Sequence, residues 1–179
     1  MEPQPIPARR PWLQRLPGWL GAALLLALLA GVTYWCFGEM YHEGWWGPFY
    51  IRLVYLIPFA LLLALTLTAF ARPRLGGALL LVAGIAVALL LLEPQFEGGR
   101  LVVDRDFSGL IIAAGIALFG ALFFWEGVSR RRWMQRHGPP PRSRSWLLRH
   151  LSTILALGIP ALIIAGISAV MLPVVLTRG

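Results

Sequence analysis

The residues whose types best suit chemistry are Glu39, His42 and Glu43, in the polar segment after the first apolar run. Two carboxylates and an imidazole can ligate a divalent cation, and the acids of a second polar segment could join them. These acids are Glu93, Glu97, Asp104 and Asp106. His42-Glu43 also begins the zinc-peptidase motif H-E-x-x-H, but Trp46 stands where the second histidine is required.

The favoured interpretation of these residues is a solvated acidic surface beside an aromatic belt, with a metal site as the alternative. The polar residues deep in the apolar runs are Thr66, Thr68 and Ser168. Their hydroxyls usually bond to their own helix or to a neighbouring helix, and no base accompanies them. We therefore expect no catalytic residue, no cofactor and no enzyme activity.

Composition predicts a membrane protein. Hydrophobic residues make up 58% of the 179 residues and charged residues only 13%, against roughly 45–50% and about 25% in soluble domains. So much apolar sequence cannot be buried inside a soluble protein of this size. The single cysteine, Cys36, excludes an intrachain disulfide and a multi-cysteine metal site.

Five apolar runs predict an all-α fold with five transmembrane helices. The helices are expected at about 16–38, 51–71, 75–93, 107–127 and 150–176, within one domain over 16–176. Each run is long enough for a hydrocarbon core of ~30 Å, which takes ~20 helical residues. Residues 1–15 form a polar N-terminal segment, and Arg72-Pro73-Arg74 predicts a tight turn between two helices.

Arginine distribution predicts the orientation. All sixteen basic residues are arginine, and the net charge is +8. With the N-terminus in the cytoplasm, twelve of the sixteen lie on the cytoplasmic side, as the positive-inside rule requires. We expect a multi-pass protein of a bacterial inner membrane with its C-terminus in the periplasm. The basic surplus suits lipid headgroups, and no nucleic-acid partner is expected.

The longest polar segment is a basic, proline-containing cytoplasmic loop over 129–149. Its arginines alternate with two tryptophans, which suits contact with anionic lipid or an acidic partner. The residues expected to make these contacts are Arg130, Arg131, Arg132, Trp133, Arg136, Arg142, Arg144, Trp146 and Arg149. A plain determinant of topology is the alternative role.

Small residues recur at helical spacing in four of the predicted helices. Such ladders let helix backbones approach closely, and we expect two of the four to form contacts. The first and fifth helices carry Ala23, Ala27, Gly31 and Ala161, Ala165, Ala169; the third carries Gly77, Gly84 and Ala88, and the fourth Gly109 and Ala113.

The pattern Trp46, Arg52-Leu53, Ile57-Pro58, Ala71-Arg72-Pro73 and Gly76-Gly77 resembles a group of small, uncharacterised bacterial inner-membrane proteins. The resemblance covers residues 45–92 and implies topology but no activity. The function predicted is that of a structural or accessory subunit, which interacts with other membrane subunits or with itself. The alternatives are a small oligomeric transporter or channel, and a membrane-embedded enzyme using outer-face acids and His42.

Overall fold

Five long helices dominate the computed structural model, since a chain in lipid must satisfy its own backbone hydrogen bonds. They are α1 Leu16–Glu39, α2 Phe49–Ala71, α3 Pro73–Leu92, α4 Ser108–His137 and α5 Trp146–Arg178. The structure describes residues 16–45, 47–92, 96–97, 100–101, 108–138 and 146–178. All five helices are long and apolar enough to cross a membrane, which is consistent with the integral membrane protein that the composition predicts.

The outer surfaces of the helices are apolar. Ile111 of α4 is 72% exposed and Leu162 of α5 is 75% exposed, with many other large apolar side chains. Contiguous exposed apolar surface on this scale is rare in soluble monomers. Lipid tails are the solvent that suits it.

The connection from α2 to α3 is a single residue, Arg72. Pro73 begins α3, where a missing backbone N–H costs nothing. The Arg72 carbonyl accepts a 2.9 Å hydrogen bond from the Gly76 backbone nitrogen, the first bond of the new helix. The expected tight turn at Arg72-Pro73-Arg74 therefore has its helix boundary at the proline.

The connection from α3 to α4 contains two short antiparallel strands, β1 Phe96–Glu97 and β2 Arg100–Leu101. Phe96 pairs with Leu101 and Glu97 with Arg100. The acids Glu93, Asp104 and Asp106, predicted as possible metal ligands, lie outside the described residues, as does the side chain of Glu97.

Helix α4 is longer than predicted. It continues to His137 instead of ending near 127, because arginine, methionine and glutamine favour helix even where apolar sequence stops. Gly138 ends it with a left-handed φ of +75°. The Gly138 backbone nitrogen donates a 2.9 Å bond to the Met134 carbonyl, a glycine C-cap followed by Pro139.

Helix α5 also starts earlier than predicted, at Trp146 instead of 150. The predicted loop 129–149 is thus shortened from both ends, and Trp146 and Arg149 belong to the first turn of α5. Pro160 and Pro173 lie inside α5, and Pro58 lies inside α2.

The chain divides into two units. One comprises Met1–Gly21 and Ala71–Arg144, and the other comprises Ala22–Phe70 and Ser145–Gly179. The second unit buries Leu62 and Ala69 of α2, with Ala156 of α5. The single domain over 16–176 stays a prediction.

The first unit is built on the antiparallel pair α3 and α4, which touch backbone to backbone at glycines. A Cβ added to Gly84 would lie 2.5 Å from the Ala117 nitrogen and 2.9 Å from the Ala113 carbonyl oxygen. On the facing helix, a Cβ on Gly120 would meet the Leu81 backbone. Only glycine fits such an approach, so these positions set the distance between the two helices.

Candidate functional site

The structure brings together two of the four predicted small-residue ladders, those of α3 and α4. Gly84 and Ala113 are buried in the pair and Ala88 is half-buried. The close positions on α4 are Ala113, Gly120 and Gly127, and on α3 they are Gly77 and Gly84. On each helix, successive close positions are seven residues apart, a period typical of a left-handed helix pair.

Sequence reasoning missed Gly120 and Gly127. The ladder predicted for α4 paired Gly109 with Ala113 at four-residue spacing, whereas these glycines repeat with Ala113 at intervals of seven. A Cβ on Gly127 would meet the side chain and backbone of Arg74. The seven-residue interval was the signal that could have found both positions.

Among the described residues, the ladders of α1 and α5 meet no such partner. Ala23, Ala27 and Gly31 are exposed, and a Cβ on Gly31 would find no heavy atom of the described residues within 4 Å. Ala161, Ala165 and Ala169 are exposed as well. The buried positions of α1 include Leu25, Leu29 and Thr33 instead. Two faces of small residues are therefore left open in the second unit.

Glu39, His42 and Glu43 lie together where α1 passes into a π-helical turn, Met40–Gly44. Their potential ligand atoms are all within 4.8 Å of one another. Glu39 is half-buried, and the other two are exposed. The Tyr55 hydroxyl of α2 donates a 2.9 Å hydrogen bond to Glu43 Oε2. Two carboxylates and an imidazole in this arrangement can supply three ligands to a divalent cation.

The polypeptide beside this cluster is held by an aromatic stack. The Tyr41 and Trp45 rings lie 5.3 Å apart and nearly parallel, at 20°. The Arg52 guanidinium lies 4.6 Å from the centre of the Trp45 ring and donates a 2.7 Å bond to the Trp45 carbonyl. Tyr41 Oη also lies 3.0 Å from Ser168 Oγ of α5. These contacts tie the segment after α1 to α2 and α5.

No Asp, Glu, His or Arg of the described spans lies near mid-membrane, and the buried thiol of Cys36 stands one turn after Thr33 on α1. The two buried polar residues of these spans, Thr33 and Thr66, donate hydrogen bonds of 2.6 Å and 2.7 Å to the carbonyls of Leu29 and Leu62 on their own helices. Thr68 does the same to Ala64. The Ser168 hydroxyl instead lies within hydrogen-bond distance of Tyr41, so it connects α5 to the segment after α1. Bonding to a neighbouring helix was the second of the two roles expected for this residue.

No protein-family model, curated protein or solved structure matches this chain. The resemblance over residues 45–92 stays a prediction.

A groove of about 730 Å³ runs along the C-terminal part of α4. Residues from two adjacent rows of the helix line it, together with Pro17 of α1. The α4 residues are Phe124, Trp125, Val128, Ser129, Arg132, Trp133, Arg136 and His137. At 1.5 Å per residue, the lined stretch is ~20 Å long. Among the described lining residues there is no acidic side chain.

Two of the predicted basic contacts face this groove and two do not. Arg132 and Arg136, one turn apart, line it with Trp133, whereas Arg130 and Arg131 are exposed on the same helix outside it. The Trp133 and His137 rings are stacked, with centres 4.9 Å apart and a 14° angle. Arg142 and Arg144 lie outside the described residues.

Proposed function

We propose that this chain is an accessory subunit of a bacterial inner-membrane assembly, and that it binds a transmembrane helix of another subunit on the small-residue faces of α1 and α5. The observation that carries the proposal is the open face at Ala23, Ala27 and Gly31, which is paralleled by Ala161, Ala165 and Ala169. We define these six residues as the open ladders.

Small residues have different surroundings between α3 and α4 and at the open ladders. Between α3 and α4 they allow backbone contact, as at Gly84 and Ala117. On α1 the same kind of residue faces outward. Helix association in lipid depends on van der Waals packing between closely spaced backbones, because lipid tails are as apolar as leucine. A partner helix would gain at the open ladders the packing that α3 and α4 gain from each other.

The interior of the described spans favours this function over transport or catalysis. Proton relays and ion pathways place ionisable residues at membrane depth. Here the buried polar groups Thr33 and Thr66 are bonded to their own helices. The titratable cluster at Glu39, His42 and Glu43 lies at a helix end instead. Support for the proposal thus comes from both the open surface and the apolar interior.

The proposed orientation has the N-terminus in the cytoplasm and the C-terminus in the periplasm. It is supported by the arginines of α4 beyond Ser129, which continue the helix on the side of the N-terminal arginines in a five-span arrangement. In this orientation the cluster at Glu39, His42 and Glu43 faces the periplasm.

The experiment is a comparison of Gly31→Leu and Ala165→Leu with Gly166→Leu. Gly166 is an exposed control on α5, about 100° around the helix from Ala165, where a Cβ would also find no heavy atom of the described residues within 4 Å. Each full-length variant is extracted from its native membrane in mild detergent, and the size of its complex is measured by native electrophoresis. We expect loss of the complex for Gly31→Leu and Ala165→Leu only. Complexes of unchanged size in both ladder variants would refute the proposal, and a complex made only of this chain would assign the ladders to self-association.

A further inference from the structure

We infer that the α4 groove is a binding site for one anionic phospholipid, with the phosphate held by Arg132 and Arg136 and an acyl chain lying along Phe124 and Pro17. The inference is independent of the open ladders, since the groove belongs to the other unit of the chain. It goes beyond the proposed accessory role by assigning a particular ligand class to particular side chains.

The length of α4 places the groove across the boundary between acyl chains and headgroups. The membrane-spanning helix Gly109–His137 has 29 residues, which is ~43 Å at 1.5 Å per residue, against a hydrocarbon core of ~30 Å. A core that begins near Gly109 ends after ~20 residues, near Val128. Phe124 then lies at the depth of the acyl chains, and Arg132 and Arg136 lie among the headgroups.

The groove lining changes from apolar to basic near Val128, where the hydrocarbon core ends. The end nearer the membrane centre is lined by Pro17, Phe124, Trp125 and Val128, which offer apolar surface to a hydrocarbon chain. The far end presents two guanidinium groups on successive turns. Guanidinium matches phosphate oxygens with paired hydrogen bonds, so two of them favour an anionic phosphodiester.

Aromatic rings line the headgroup end of the groove. Trp133 stacks on His137, and the His137 Nδ1 atom lies 3.2 Å from the Trp133 carbonyl oxygen. This pairing holds both rings along the helix and forms one wall beside Arg136. Indole rings suit this depth of a membrane. No carboxylate of the described lining competes for the arginines, so the charge of the site complements a phosphate.

A lipid explains both ends of the groove, whereas a free phosphate explains only the arginines. A membrane lipid also reaches the site laterally at the correct depth. The ligand class is therefore an anionic glycerophospholipid with its headgroup at Arg132 and Arg136, and the occupied volume extends toward Pro17.

The test is native mass spectrometry of the full-length protein in mild detergent with added phosphatidylglycerol or phosphatidylcholine of identical acyl chains. The variant is Arg132→Gln with Arg136→Gln. The matched control is Arg130→Gln with Arg131→Gln, which removes the same charge from the same helix outside the groove. Circular dichroism verifies that both proteins keep their helices.

We expect wild type and the control to bind phosphatidylglycerol with affinities within twofold of each other, and the groove variant to bind it at least tenfold more weakly. Phosphatidylcholine should bind weakly to all three. Equal losses in both double variants, or no preference for phosphatidylglycerol, would overturn the inference.

A second comparison tests the acyl half of the site. Phe124→Ser should weaken binding of phosphatidylglycerol several-fold, and glycerol 3-phosphate at millimolar concentration should not displace the lipid. Displacement by glycerol 3-phosphate, or unchanged affinity in Phe124→Ser, would show that the groove binds only a phosphate and would refute a lipid site.

Discussion

Gly77 of α3 and Gly120 of α4 face each other reciprocally. A Cβ on either glycine would lie 2.8 Å from the carbonyl oxygen of the other. Neither position accepts a methyl group without separating the helices, because the obstacle is backbone and not a flexible side chain. This contact fixes the distance between α3 and α4, and α4 supplies most of the residues that line the groove.

Gly120→Ala should therefore destabilise the protein, whereas Gly115→Ala on the same helix should not. Overpacking of a close contact costs about 1–3 kcal/mol. At Gly115 a Cβ would have its nearest neighbour, the Phe119 ring, at 3.8 Å, and removal of a helical glycine contributes about 0.5–1 kcal/mol of stability. Thermal unfolding in one detergent measures both. Equal midpoints for the two variants would contradict the glycine contact.

Arg52→Met should loosen the segment after α1. The substitution keeps an apolar stem but removes the cation above Trp45 and the bond to its carbonyl. Together these contacts contribute about 1–2 kcal/mol. Limited proteolysis should cleave the variant faster near Trp45, with Arg130→Met as the control on an exposed helical arginine. Identical cleavage rates in the two proteins would show that the stack contributes nothing.

We expect the cluster of Glu39, His42 and Glu43 to remain solvated and free of metal. Two of the three side chains are exposed, so water already satisfies them. Calorimetric titration of the purified protein with zinc should show no saturable binding at this cluster. The His42→Ala substitution should therefore leave the titration curve unchanged. One equivalent of zinc bound by wild type and by His137→Ala, but not by His42→Ala, would establish the metal site and reopen the enzyme alternative.

Alkaline phosphatase fused after Gly179 should be active in a bacterial host, because this enzyme folds only in the periplasm and five spans separate the two termini. The same enzyme fused after Gly138, at the end of α4, should be inactive. Activity after Gly138 and none after Gly179 would invert the orientation that the arginines predict.

Sequence alone predicts the helices well and their contacts poorly. Uncharged runs set the spans, since hydropathy is a property of each residue in lipid. Helix α4 ends ten residues beyond the apolar run that predicts its end near 127, although Gly138-Pro139 marks the end of the helix in the sequence. Packing depends on which face meets a neighbour. The ladder at Ala27 and the one at Gly84 have similar sequence, but only Gly84 is buried.

The candidate sites show the same contrast between what local sequence predicts and what only tertiary packing provides. Glu39, His42 and Glu43 are close in sequence, so a single turn brings them together. The groove is lined by both Pro17 and Phe124, two residues more than a hundred positions apart, and only the tertiary fold brings them to one groove. The arginine-rich segment was recognisable, but which of its arginines face a groove depended on the unexpected length of α4.

Site-specific photocrosslinking at Ala27 in the native membrane tests the accessory role most directly. The matched position is Leu118 on α4, whose side chain is 56% exposed and lies outside the small-residue ladder of that helix. We expect a discrete protein adduct at Ala27 that Gly31→Leu abolishes, and only lipid adducts at Leu118. Lipid adducts alone at both positions would contradict the proposal that a partner helix covers this face.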